Sequence, residues 1–214
     1  MADLDFYFDY ISPYAYIAWT QIHALADRHG WGVAPKPVLF AAMLNANDTR
    51  GPAEIPSKRR YTFLDVSRTA AVLGLRLAPP PSHPFNPLLA LRITGLDMPA
   101  TTRKALITRL YQATWGGGPG VTDPDTVSRI AEEVGVPDAL RRAAAQPAKD
   151  RLRAETDRAI ARGVFGVPTI FAGDDIFWGY DSFGHLDRHL AGTLQLDGEV
   201  LSRWRDLPAS ARRR

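Results

Sequence analysis

The chain has 214 residues, 45% of them hydrophobic and 23% charged, the proportions of a globular protein large enough for a substantial core. It contains no cysteine, which excludes disulfides, thiolate metal sites and catalysis by a protein thiol. The net charge of +3 is small and carries no basic stripe interleaved with aromatics, so nucleic acid is not an expected partner.

Other classes fall away for similar reasons. Part of the charge lies in the terminal ARRR at 211–214, read as a solvated tail. No apolar run approaches the roughly 20 residues that cross a bilayer. The opening MADLDFYF lacks the basic stretch of a signal peptide and enters a strand pattern at once, so a cytoplasmic location is expected. His185 and His189 are four apart and share a helical face, but two imidazoles without a third ligand read as a polar face, and no metal is expected.

In chain order, LDFYFDY (4–10) alternates and is rich in aromatics, which predicts a strand. After Ser12-Pro13 the apolar residues Tyr14, Ile17, Ala18, Ile22 and Leu25 recur at helical spacing as far as Gly30. VAPKPVLF (33–40) is extended, giving β–α–β over the first 40 residues with a helical crossover. No strand is evident between about 41 and 162. Helices are predicted from Pro56 to Gly74, at 88–95, at 100–115, at 122–135 and from Pro147 to Arg162. The proline-rich LAPPPSHPFNP (77–87) connects two of them, and GGGPG (116–120) reads as a flexible break. VPTIFAG and DDIFWG (167–179) then form a hairpin around Gly173-Asp174-Asp175, with a short helix from Asp181. The two ends therefore supply one mixed sheet, and the expected division is 1–40, a helical insertion at 41–146, and 147–214.

Two segments carry candidate chemistry. Ser12 before Pro13 is an efficient helix cap pair, worth about 1 kcal/mol with no further role. Its hydroxyl is also placed to act at a helix N-terminus. Val167-Pro168 is either a strand start or a cis proline that leaves the Val167 backbone free for an extended ligand. Asp181 reads as a helix cap and Trp178 as a core aromatic when each is taken alone. Tyr111 and Trp115 could line a cleft or pack in the core.

DFYFDYISPYAYIA, HPFNPLLALR and GVFGVPTIFAGDDIFWGYD, taken together, resemble the 2-hydroxychromene-2-carboxylate isomerases and the kappa-class glutathione transferases. The resemblance implies a thioredoxin-like fold with an inserted all-helical domain, with Ser12-Pro13-Tyr14-Ala15 standing where redox members carry Cys-Pro-x-Cys. It implies glutathione as cofactor, its thiol replacing the missing cysteine and Ser12 donating to the sulfur. Val167 would pair with the cysteinyl part, and Trp178, Gly179, Tyr180 and Asp181 would hold the γ-glutamyl end. Asn45 and Asn86 match positions that meet the small-molecule substrate. Many relatives carry a lysine where this chain has Asn45 and an arginine where it has Ser182, so cations for an anionic substrate are missing there, with Lys58, Arg59, Arg60 or Arg92 as replacements. The expected activity is isomerisation of a bicyclic aromatic carboxylate by reversible thiolate addition, in a homodimer. Rival expectations are glutathione transfer and glutathione binding without catalysis.

Overall fold

The computed structural model describes residues 2–208; the basic tail at 211–214 lies outside them. Strand β1 (Asp3–Phe8) leads through Ser12 into α1 (Pro13–Arg28), and the chain returns along β2 (Gly32–Pro37). A series of helices follows: α2 (Phe40–Ala46), α3 (Pro56–Val72), α4 (Leu88–Thr94), α5 (Ala100–Trp115), α6 (Pro124–Glu133), α7 (Ala139–Ala144) and α8 (Gln146–Ala161). The hairpin β3 (Thr169–Ala172) and β4 (Asp175–Trp178) completes the sheet before α9 (Phe183–Leu190) and α10 (Gly198–Arg205).

The sheet order is β2-β1-β3-β4. β1 runs parallel to β2, whereas β1–β3 and β3–β4 are antiparallel. The alternation in β1 sorts its side chains to two faces, as the pleat requires. Leu4, Phe6 and Phe8 join α1 residues such as Ile17 and Ile22 in one core, which continues without a break into Leu91, Leu106 and Val127 of the helical middle. On the other face Tyr7 packs with Phe171 and with Ala159 of α8. Arg162, just past α8, fastens that face: its guanidinium meets Asp5 at 2.6 Å, donates to the Gly173 carbonyl at 2.7 Å and lies 3.8 Å over the Phe171 ring.

Three details depart from the sequence reading. Phe40, expected to close a strand, starts α2 instead. Helices α7 and α10 were not anticipated. GGGPG is no loose break, because it wraps tightly over the end of α5. Gly120 donates to the Ala113 carbonyl at 2.8 Å, and a Cβ on Gly118 would lie 2.7 Å from the Ala113 Cα. Tyr111 and Trp115, left open as cleft or core, are both buried in the core, with the Trp115 indole donating to the Tyr10 carbonyl at 2.9 Å. Among the described residues no helix is long and apolar enough to cross a membrane.

Candidate functional site

The carboxyl ends of the parallel strands β1 and β2 open onto a cavity of about 970 Å³, where ligands of open α/β sheets commonly sit. Its walls come from distant parts of the chain. Ser12, Pro13 and Tyr14 contribute the start of α1, while Phe165, Gly166, Val167 and Trp178 contribute the region around the hairpin. Facing them are residues before and within α3, and His83-Pro84-Phe85 of the proline-rich connector.

Ser12 is the N-cap of α1, and Pro13 fills the first helical position, where its missing N–H costs nothing. The Ser12 Oγ accepts the Ala15 N–H at 3.2 Å and donates to the Val167 carbonyl across the cavity wall, also at 3.2 Å. The Val167–Pro168 peptide is cis, as is His83–Pro84, which sequence inspection missed. Both Ser12 and Val167 are buried from solvent except toward the cavity. Trp178 is half exposed and stacks on Phe165 with ring centroids 5.0 Å apart. It also passes so close to Gly166 that a Cβ there would come within 2.6 Å of the indole nitrogen.

The remaining anticipated residues are placed differently. The Gly179 N–H donates to the Pro168 carbonyl at 2.9 Å, extending the hairpin pairing toward the site. Tyr180 packs on Phe183, and the exposed Asp181 carboxylate folds back against Gly179, so these three sit beside the cavity and do not line it. Asn45 is exposed on α2, while its neighbour Leu44 faces the cavity. Asn86 is exposed, and its Oδ1 accepts the Leu88 N–H at 3.0 Å, a capping role at the start of α4. Of the four suggested replacement cations, Lys58 lines the cavity; Arg50, not anticipated, lines it with Lys58, whereas Arg59, Arg60 and Arg92 do not.

Two further cavity residues escaped sequence reasoning. Asp9 is almost wholly buried, and its oxygens accept the N–H groups of Ile11 at 3.1 Å and Phe40 at 3.0 Å. Burial pushes its carboxyl up to about 7, against the opposing pull of those two donors. The only local clue was an acid at the end of an aromatic strand, three residues before a helix cap. His83 lies 2.9 Å from the Ile11 carbonyl through Nε2, which must carry the proton because a carbonyl only accepts. Burial among Phe63, Phe85 and Trp115 pushes its pKa down. Chemically the cavity combines a hydroxyl at a helix N-terminus, a buried acid, the exposed carboxylate of Glu54 and two cations on largely apolar walls. Among the described residues no cluster of His, Asp and Glu is placed to hold a metal; His189 lies 3.6 Å from Asp175.

Residues 3–191 match the family model of the DSBA-like thioredoxin domain. The chain is 33% identical over 193 residues to a 2-hydroxychromene-2-carboxylate isomerase of Sphingobium xenophagum, covering 87% of this chain and 97% of that one. Glutathione S-transferase kappa 1 of Rattus norvegicus is 22% identical over 184 residues, covering 79% and 80%. A solved 2-hydroxychromene-2-carboxylate isomerase superposes with a TM-score of 0.81 at 25% identity, covering 95% of this chain and 97% of the other. With its four-stranded mixed sheet and the helices set between β2 and β3, the chain belongs to the DSBA-like thioredoxin family, in the branch of the 2-hydroxychromene-2-carboxylate isomerases and their kappa-class relatives.

Proposed function

We propose that the protein is a glutathione-dependent isomerase acting on 2-hydroxychromene-2-carboxylate or a similar bicyclic aromatic carboxylate. One observation carries this reading. In a chain without any thiol, the Ser12 hydroxyl stands at a helix N-terminus on the wall of a cavity roomy enough for a tripeptide and an aromatic substrate together.

A glutathione sulfur placed beside Ser12 would receive the hydroxyl's hydrogen bond and the partial positive charge of α1. Both favour thiolate over thiol and so supply a nucleophile at neutral pH. The Val167 backbone takes the cysteinyl part as an added strand does, and Trp178, Gly179, Tyr180 and Asp181 serve the γ-glutamyl end, the Asp181 carboxylate suiting its ammonium. Held there, glutathione would supply reversible thiolate addition to a conjugated carbon, which would let a former double bond rotate before elimination and so replace one high barrier with two lower ones.

In this reading Arg50 and Lys58 hold the substrate carboxylate, replacing the cations absent at Asn45 and Ser182. Asn45 and Asn86, both outside the cavity wall, shape it through Leu44, Phe85 and Pro87. A cytoplasmic homodimer belongs to the same proposal; cell fractionation and light scattering test it. Calorimetry with glutathione tests the cofactor, and turnover of chromene carboxylates with and without glutathione tests the reaction. The apolar bulk of the cavity favours a second reading, conjugation of glutathione to an apolar electrophile. Isomerisation leaves total glutathione unchanged, whereas conjugation consumes it mole for mole with product.

A further inference from the structure

Asp9 is built into the turn that presents Ser12. Its main-chain carbonyl receives the Ser12 N–H at 3.1 Å, and its carboxylate grips the Ile11 N–H between them and the Phe40 N–H at the start of α2. The two donors explain why an acceptor stands at each oxygen. They do not explain why a buried acid stands on the wall of this cavity, with a further lone pair left on each oxygen.

We propose that Asp9 is the acceptor of the glutathione thiol proton, an assignment that rests on the glutathione reading above. The S–H bond breaks with its electron pair left on sulfur, and the proton passes to a carboxylate oxygen of Asp9. Release of glutathione as thiol reverses the transfer, so no further reactant is consumed.

The exchange is electrostatically downhill. Negative charge leaves a carboxylate that burial disfavours and reaches a sulfur that Ser12 and the α1 N-terminus stabilise. Two anions in one sheltered cavity would repel, so carboxylate and thiolate share a single proton.

The other ionisable groups around Asp9 are poorly suited to the task. Burial pushes the Tyr10, Tyr14 and Tyr111 phenols upward, which keeps them protonated. Arg50 and Lys58 are cations, Tyr61 is an exposed phenol, and Glu54 stands exposed on the wall opposite Ser12. His83 is the rival base. Its Nε2–H is committed to the Ile11 carbonyl and its Nδ1 lone pair is buried with no partner, while burial pushes its pKa down and so weakens it as a base.

Counting protons on the unmodified protein tests the assignment. At about pH 8, where the Asp9 carboxyl starts mostly ionised, glutathione is added in weak buffer while the ultraviolet thiolate band and an indicator dye are followed together. Thiolate formation with only a small fraction of a proton released per glutathione is the expected result. One full proton released per thiolate overturns the role of Asp9 while leaving the cofactor reading intact. No glutathione uptake by calorimetry removes both readings. Asp9→Asn, checked for retained helical signal, should release a full proton per thiolate and lose turnover by roughly 100-fold or more. His83→Gln should keep the wild-type proton count; a full proton released in that variant transfers the role to His83 and overturns the proposal.

Discussion

Ser12 has two separable jobs, and comparing Ser12→Ala with Ser12→Gly measures each. In the structure its Oγ caps α1 through the Ala15 N–H and satisfies the Val167 carbonyl, both at 3.2 Å. Losing a serine cap to alanine costs about 1 kcal/mol, whereas glycine at the same position costs only a few tenths. Either variant also strips the buried Val167 carbonyl of its donor, for about 1 kcal/mol more. Ser12→Ala should therefore lose roughly 2 kcal/mol of stability and Ser12→Gly roughly 1.

The chemical job scales differently. A hydroxyl bonded to a thiolate is charge-assisted and worth about 1.5–3 kcal/mol, so its loss should cut kcat roughly 10- to 150-fold, equally in both variants. Urea unfolding reads the first ladder, and turnover at saturating glutathione and substrate reads the second. If turnover instead follows stability, with the glycine variant near wild type, Ser12 is a cap alone and the sulfur-donor argument fails.

Three other outcomes are open to measurement. Arg50→Met and Lys58→Met should each raise KM for a carboxylate substrate roughly two- to fivefold, as exposed cations do, with glutathione affinity by calorimetry unchanged; an unaltered KM in the double variant refutes them as the carboxylate site. Asp9 has a folded pKa of about 7 against an unfolded value near 3.8, so the native state keeps a proton that the unfolded state gives up. Its contribution is therefore fully present below about pH 4 and lost as pH rises toward 7, at most roughly 4 kcal/mol, and Asp9→Asn should flatten that slope in denaturant titrations. Gly118→Ala should lower stability by roughly 1–3 kcal/mol because its Cβ meets the α5 backbone, while Gly184→Ala, in open space on α9, should raise it by about 0.5–1 kcal/mol; equal effects in thermal melts would contradict the packing described for 116–120.

What could be read in the sequence was local. The period-two pattern of β1, the switch to helical spacing after Ser12-Pro13, the Asp123-Pro124 cap and the turn at Gly173 each lie within a few residues, and each element stands where its signal points. What escaped depends on distant partners. Helix α2 buries only Met43, and its first turn is held by Asp9, 31 residues earlier, so locally Phe40 reads as the end of the preceding strand. Helix α10 buries nothing and exposes Val200, Leu201 and Trp204, so no packing against the core accounts for its place in the chain. His83 touches Ile11 across 72 residues, and a histidine among prolines gives no warning of that. Glycines in GGGPG read as freedom, yet here they permit a close approach to α5 that any side chain would block.

The same division between near and far organises the cavity. Ser12, Val167 and Trp178 come from the ends of the chain and are fixed by the sheet, by the α1 cap and by the hairpin, all strongly patterned in sequence. Arg50, Lys58 and Tyr61 come from the helical middle and are exposed, so their identities are hardly constrained by the core. Tyr14 of α1 joins the halves, its hydroxyl donating to Asp65 of α3 at 2.7 Å. On the proposed function, thiolate formation belongs to the buried half and substrate choice to the exposed one. The charge that would meet a substrate then sits on Arg50 and Lys58, where it can change without disturbing Ser12 and Val167.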